Sequence, residues 1–249
     1  MFQAWLTKPK SFEIRQVEKP KIKSNELLVR VMYCGICGSD LHGYSGKNPF
    51  TPFPCVMGHE YVGRVEEAGR DVRNITPGQI VTAEPINNCG NCVYCRSGLY
   101  NHCVDKAPRV GGSGEYTVVR QDKAFVVPEG VEPKQTAATD LFESKLQLAR
   151  SQGCDETIQV KNSTTVEDIL NAVGKHSIDV GLIMFNELKL IGCMMYNNGD
   201  FADAARILGE GKMDLSPFVS KVFKLRDVEA AFNEIIKNKD RYAKCLVEP

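Results

Sequence analysis

Four cysteines set the tightest constraint on what this chain can fold into. Cys89, Cys92 and Cys95 are each separated by two residues, in Cys89-Gly90-Asn91-Cys92-Val93-Tyr94-Cys95, and Cys103 follows after seven more. Turns that bring three thiolates within about 4 Å of one point, with a fourth a few residues on, suit a tetrahedral zinc ion. Protein would then fill all four coordination positions, and such a site is closed and structural. Disulfides or unligated thiols are the competing assignments. Ten cysteines occur in the chain, while residues 1–10 are too polar for a secretion signal. That combination points to a reducing, cytoplasmic compartment, where this spacing favours metal over bridges.

The bulk properties fit a two-domain enzyme. A length of 249 residues, 43% of them hydrophobic, allows two ordinary cores. Lys and Arg total 31, balanced by 31 Asp and Glu. The resulting zero net charge implies neither a nucleic acid nor a membrane surface as partner. No apolar run approaches the length of a membrane span.

The first third alternates as β structure does. Phe12-Glu13-Ile14-Arg15-Gln16-Val17 and Leu27-Leu28-Val29-Arg30-Val31 show the period, and residues 61–66 and 79–83 continue it. Short strands punctuated by Gly and Pro, as at Pro77-Gly78, predict a barrel-like β domain. Helices are expected late. Residues 201–209 form one, and Leu225, Val228, Phe232, Ile235 and Ile236 make the core-facing stripe of another. Thr165 and Asp168, followed by Ile169, Leu170 and Val173, read as a capping box opening a third.

A second possible metal site lies upstream. Cys37 sits in Cys34-Gly35-Ile36-Cys37-Gly38-Ser39-Asp40-Leu41-His42, and His59 and Glu60 follow Gly58. A thiolate, an imidazole and a carboxylate would form an open zinc site if water or substrate took the last position. Cys34 and Cys37 also read as a redox pair, although the helix-and-strand context of a thioredoxin fold does not follow.

Together these runs resemble the zinc-dependent medium-chain dehydrogenase/reductase family. The likeness rests on Cys-Gly-Ile-Cys-Gly-Ser-Asp-Leu-His, then Gly-His-Glu-Tyr-Val-Gly-Arg-Val, then the cysteine lobe. It is strongest to the polyol branch of sorbitol, butanediol, threonine and sugar-phosphate dehydrogenases. It implies a β-rich GroES-like catalytic domain, an α/β Rossmann domain for the cofactor, and a C-terminal segment returning to the catalytic domain. It assigns Cys37 and His59 as catalytic zinc ligands, and Glu60 as a ligand or a nearby switching carboxylate. Ser39 becomes the hydroxyl that relays the substrate proton, His42 the outer end of that relay, and Asp40 the carboxylate orienting His59. Turn capping is the plainer role for Ser39 and Asp40. Tyr44, Phe50 and Phe53 are candidates for the pocket wall, or for the core.

The second half departs from the family. Residue 138 runs directly into Thr139-Asp140-Leu141-Phe142, without the first Rossmann strand and its Gly-rich turn. A second discontinuity follows Gly181. Roughly a hundred residues are missing, about one small domain. Either segments of a longer protein are left out of the sequence or the deletion is real, and family-like sequence on both sides of each junction favours the first. The expected division is a catalytic domain over 1–138, a fragmentary Rossmann domain over 139–195 and a returning segment over 196–249. Gly111-Gly112-Ser113-Gly114 is not the missing turn, because a strand follows it rather than a helix.

Asp140 matches the acid that binds the adenosine ribose and favours NAD over NADP, and Lys244 matches a position near the pyrophosphate. A surface cap and a solvated lysine are their plainer readings. The implied activity is NAD-linked interconversion of a secondary alcohol or polyol and a ketone, by a homodimer or homotetramer. The competing reading is a non-catalytic zinc-binding or oligomerisation module without a working cofactor domain.

Overall fold

The computed structural model describes residues 1–106, 111–132, 198–211, 213–239 and 241–249. Asp140, both junctions and the helix expected after Thr165 lie outside the described residues, as does the expected Rossmann segment. The described residues all fall within one unit, Met1–Asp140 with Tyr196–Pro249.

Two sheets carry this unit. β1 (Phe2–Lys8), β2 (Ser11–Gln16) and β4 (Cys55–Val56) make an antiparallel sheet in the order β2-β1-β4. The larger sheet is organised by β3 (Glu26–Ile36), an eleven-residue strand rich in β-branched and apolar residues. Along one edge β3 pairs with β5 (Glu60–Ala68). Along its other edge the first half pairs with β7 (Tyr116–Arg120) and the last residues with β10 (Lys244–Glu248). β6 (Ile80–Ala83) and β8 (Ala124–Val126) extend the sheet beyond β5, and β9 (Val219–Lys224) lies parallel to β10.

The register explains much of the site. Gly35 of β3 faces Glu60 of β5. Cys37 lies two residues beyond Gly35 and His59 one residue before Glu60. Antiparallel pairing therefore brings together two residues that are 22 positions apart in the chain.

Two apolar clusters hold the strands. Leu27, Val29, Val31, Cys34, Tyr61 and Val65 lie in one. The other joins Ala4, Leu6 and Ile36 to Val228, Phe232 and Ile235 of α4 (Val228–Lys237). The stripe expected from sequence is thus the face that α4 buries. Tyr44 belongs here, fully buried, with its ring 5.0 Å from Phe232 and 5.5 Å from Phe12. That settles its alternatives in favour of core over pocket wall. α1 (Gly38–Tyr44) follows β3, and α3 (Asn198–Gly209) is the other helix expected late in the chain. Among the described residues, no helix is long and apolar enough to cross a membrane.

Candidate metal centres

The first centre is built by a short lobe between β6 and β7. Cys92 caps α2 (Val93–Arg96), and a 3-10 turn over Tyr100–His102 delivers Cys103. The ligand atoms of Cys89, Cys92, Cys95 and Cys103 all lie within 4.8 Å of one another. Cys92 and Cys95 are 3.4 Å apart at sulfur, and Cys89 and Cys95 are 3.9 Å apart. Thiolates about 2.3 Å from a tetrahedral ion stand roughly 3.8 Å from each other, whereas a disulfide brings sulfurs to about 2.05 Å. The separations fit zinc, and these cysteines are free. Backbone N–H groups prepare the charge: the Cys95 amide donates to the Cys92 sulfur and lowers that thiol to about 6.

The lobe is anchored to the sheet through a buried ion pair. Lys123 donates to Glu84, with side chains only 3% and 0% exposed. The Lys123 amine also lies 4.1 Å from the ring centroid of Tyr100, a residue of the lobe. Glu84 Oε1 accepts from the Ile86 N–H at 3.0 Å, so the carboxylate has a second partner. The sequence reading did not single out this pair. A lysine and a glutamate 39 positions apart carry no local signal of pairing.

The second centre gathers Cys37, His59 and Glu60, whose ligand atoms also lie within 4.8 Å of one another. Cys37 is the N-cap of α1. Its N–H donates to Asp40 Oδ2 at 2.9 Å, while Asp40 Oδ1 stands 3.3 Å from His59 Nδ1. One buried carboxylate thus closes the helix cap and fixes the imidazole, leaving Nε2 for the Cys37 side. Capping and orienting, set apart as alternatives for Asp40, are one arrangement. Burial works against a charged His59 ring, but hydrogen bonds to Asp40 and Cys37 outweigh it and raise the group to about 10. Burial likewise pushes the Cys37 thiol up. Hydrogen bonds from His59 and from the Ser39 amide and hydroxyl exceed that effect, so its net shift is downward. A ring and a thiolate that compete this strongly for a proton are good donors for a cation.

Lys244 is buried in β10, and its Nζ donates to Glu60 Oε2 at 2.5 Å. The plain alternative of a solvated lysine is excluded, and the amine faces the metal-type cluster. Pairing of β10 with β3 brings it there, a contact that a separation of 184 positions hides from sequence reasoning. Cys34 is buried as well, and desolvation raises its thiol far above its ordinary value, which makes it a poor redox partner for Cys37.

A cleft of about 720 Å³ opens beside this centre, lined by Ser39, Asp40, His59, Phe50, Cys55 and Lys106 among others. Ser39 is on the wall, and Phe50 is exposed there. His42 is exposed three residues further along α1. Phe53 is 39% exposed and is not among the residues lining this cleft.

Residues 23–129 match the alcohol dehydrogenase GroES-like domain. The chain is 32% identical over 180 residues to an L-threonine 3-dehydrogenase of Aliivibrio fischeri MJ11, covering 69% of this chain and 50% of that protein. It is 33% identical over 134 residues to a sorbitol dehydrogenase of Halalkalibacterium halodurans, covering 52% of this chain and 39% of the other. The chain therefore spans about half the length of such curated relatives. Among solved structures, an alcohol dehydrogenase from Escherichia coli CFT073 in complex with NADH matches at a TM-score of 0.82 and 22% identity, over 100% of this chain and 99% of that one. At that identity the likeness speaks for the fold.

Proposed function

We propose that the protein works as a zinc-dependent, NAD-linked oxidoreductase interconverting a secondary alcohol or polyol and a ketone, a reading supported by the match of residues 23–129 to the alcohol dehydrogenase GroES-like domain and by the likeness to threonine and sorbitol dehydrogenases. The observation that carries this reading is the convergence of Cys37, His59 and Glu60 within 4.8 Å, beside a cleft walled by His59 and Ser39. Two zinc ions per chain are proposed: a structural one on Cys89, Cys92, Cys95 and Cys103, and a catalytic one on Cys37 and His59 with Glu60 at hand. The catalytic ion would supply a Lewis acid that polarises the alcohol oxygen and lowers its pKa.

The chain's own residues account for the rest. Asp40 holds His59 in one tautomer and orientation. Glu60 accepts a hydrogen bond from the Lys244 amine, at hand to approach or leave the centre. Ser39 accepts the substrate proton while giving up its own, and so carries no net charge. His42, exposed on α1, hands that proton to solvent. NAD would accept the hydride. Asp140, proposed for its ribose, lies outside the described residues, and no step is derived through the cofactor. The expected division at 138 and 195, and assembly into dimers or tetramers, belong to the same proposal. Pairing of β10 with β3 supports the return of the C-terminal segment.

The competing reading is a non-catalytic zinc-binding or oligomerisation module lacking a functional cofactor domain. The test uses zinc-loaded protein of verified intact mass, NAD and a panel of secondary alcohols and polyols. NADH formation that Cys37→Ser abolishes supports the dehydrogenase. Two bound zinc ions with no NAD binding by calorimetry and no turnover would transfer the case to the module.

A further inference from the structure

The run Gly111-Gly112-Ser113-Gly114 has no part in the mechanism above, yet all four residues are buried. Its amides are committed to the loop that precedes His59. The Gly112 N–H donates to Gly58 O at 2.9 Å, and the Ser113 N–H donates to Met57 O at 3.0 Å. From its other side Ser113 O accepts the Ala4 N–H at 2.9 Å, tying the run to β1. The run is therefore held by a rigid strand on one face and grips the His59 loop with the other.

Packing is tightest where the two segments meet a third. A Cβ on Gly112 would stand 2.5 Å from the Tyr61 ring and 3.0 Å from Cys34 Sγ. A Cβ on Gly58 would run into the same sulfur, and Gly58 itself has φ +83°, which a side chain rarely tolerates. Ser113 also bonds the Cys34 thiol. Cys34 lies in β3, three residues before Cys37, and Gly58 directly precedes His59. One sulfur is thus the common contact of the strand bearing Cys37, the loop bearing His59 and the glycine run.

We propose that Gly112, Ser113 and Cys34 are positioning residues that set the separation of Cys37 and His59 and so the grip of this centre on its metal. The proposal rests on the reading that these two side chains bind zinc. Residues behind metal ligands typically change affinity about ten- to a hundredfold when altered. No catalytic step passes through the run, and its effect is on metal retention.

The test is zinc release from intact protein to a colorimetric chelator, followed as two kinetic classes. In Gly112→Ala the class lost in Cys37→Ser should leave about tenfold faster or more. The class lost in Cys92→Ser should keep its rate. A general loss of stability would instead speed both classes together and lower the Tm of the metal-free chain. Cys34→Ala removes the shared contact without adding bulk and should give the same selective acceleration, which decides the matter where Gly112→Ala fails to fold. Unchanged release of the first class from folded Cys34→Ala, or equal acceleration of both classes, overturns the proposal. A parent protein with no zinc class that Cys37→Ser removes would instead overturn the assignment of Cys37 and His59 as ligands.

Discussion

Replacing Lys123 by methionine should be among the most damaging single changes in the β domain. Lys123 and Glu84 are 3% and 0% exposed at their side chains. Removing the amine leaves a carboxylate with one backbone N–H for company, cut off from water. Breaking such a buried pair from one side costs about 3–5 kcal/mol, and loss of the contact with the Tyr100 ring adds on the order of 0.5–2 kcal/mol. Methionine keeps most of the packing volume, so the charge is the main variable. Against a typical domain stability of about 5–15 kcal/mol, a loss near 4 kcal/mol is a large fraction. Urea unfolding of the zinc-loaded protein reads it as a shift in midpoint at constant slope. Glu84→Gln added to Lys123→Met removes the stranded charge and keeps an oxygen for the Ile86 N–H, and should recover more than half of the loss. A single change costing less than about 1 kcal/mol, or a double variant no better than the single, would refute the reasoning.

Further outcomes follow from the two centres and the core. Cys92→Ser should lose one zinc and destabilise the fold, whereas Cys37→Ser should lose the other with less effect on folding, both read by metal analysis and thermal melting. In zinc-free protein, Cys92 should be alkylated at a rate that falls as pH drops through about 6, because the Cys95 amide favours its thiolate. The sign for stability is the same: a depressed thiol contributes above its unfolded value near 8.5, and that contribution fades as pH falls towards 6. A rate midpoint near 8.5 would remove the backbone donation from the account. His42→Ala should lower turnover mainly below mildly alkaline pH, where solvent base is scarce, and Ser39→Ala should lower it further. An unchanged pH profile in His42→Ala counts against the relay. Phe232→Ala opens the aromatic cluster with Phe12 and Tyr44 and should cost about 3–5 kcal/mol in the same urea assay.

Much of this architecture was legible from sequence because its signals are local. The spacing of Cys89, Cys92, Cys95 and Cys103 lies within one lobe, so turns alone bring the sulfurs together. The β pattern of residues 27–31, within β3, and the helical stripe of Val228, Phe232 and Ile235 each report a single element burying one face. The gathering of Cys37, His59 and Glu60 could be anticipated from family likeness, while the register of β3 on β5 is what performs it.

Other features were decided by tertiary structure, because they depend on which surfaces meet across long stretches of chain. Lys244 has a solvated lysine as its plain reading until β10 pairs with β3 and delivers its amine to Glu60. Glu84 and Lys123 become one neutral buried unit when β6 and β8 pair. The small residues Gly58 and Gly112 acquire a reason for lacking side chains once Cys34 stands between them. Sequence determines which groups can bind metal or carry charge, since that is fixed by their chemistry. The partners that hold those groups are chosen by strand register and burial, where a buried charge must find its counterpart and close-packed backbones leave no room for a Cβ.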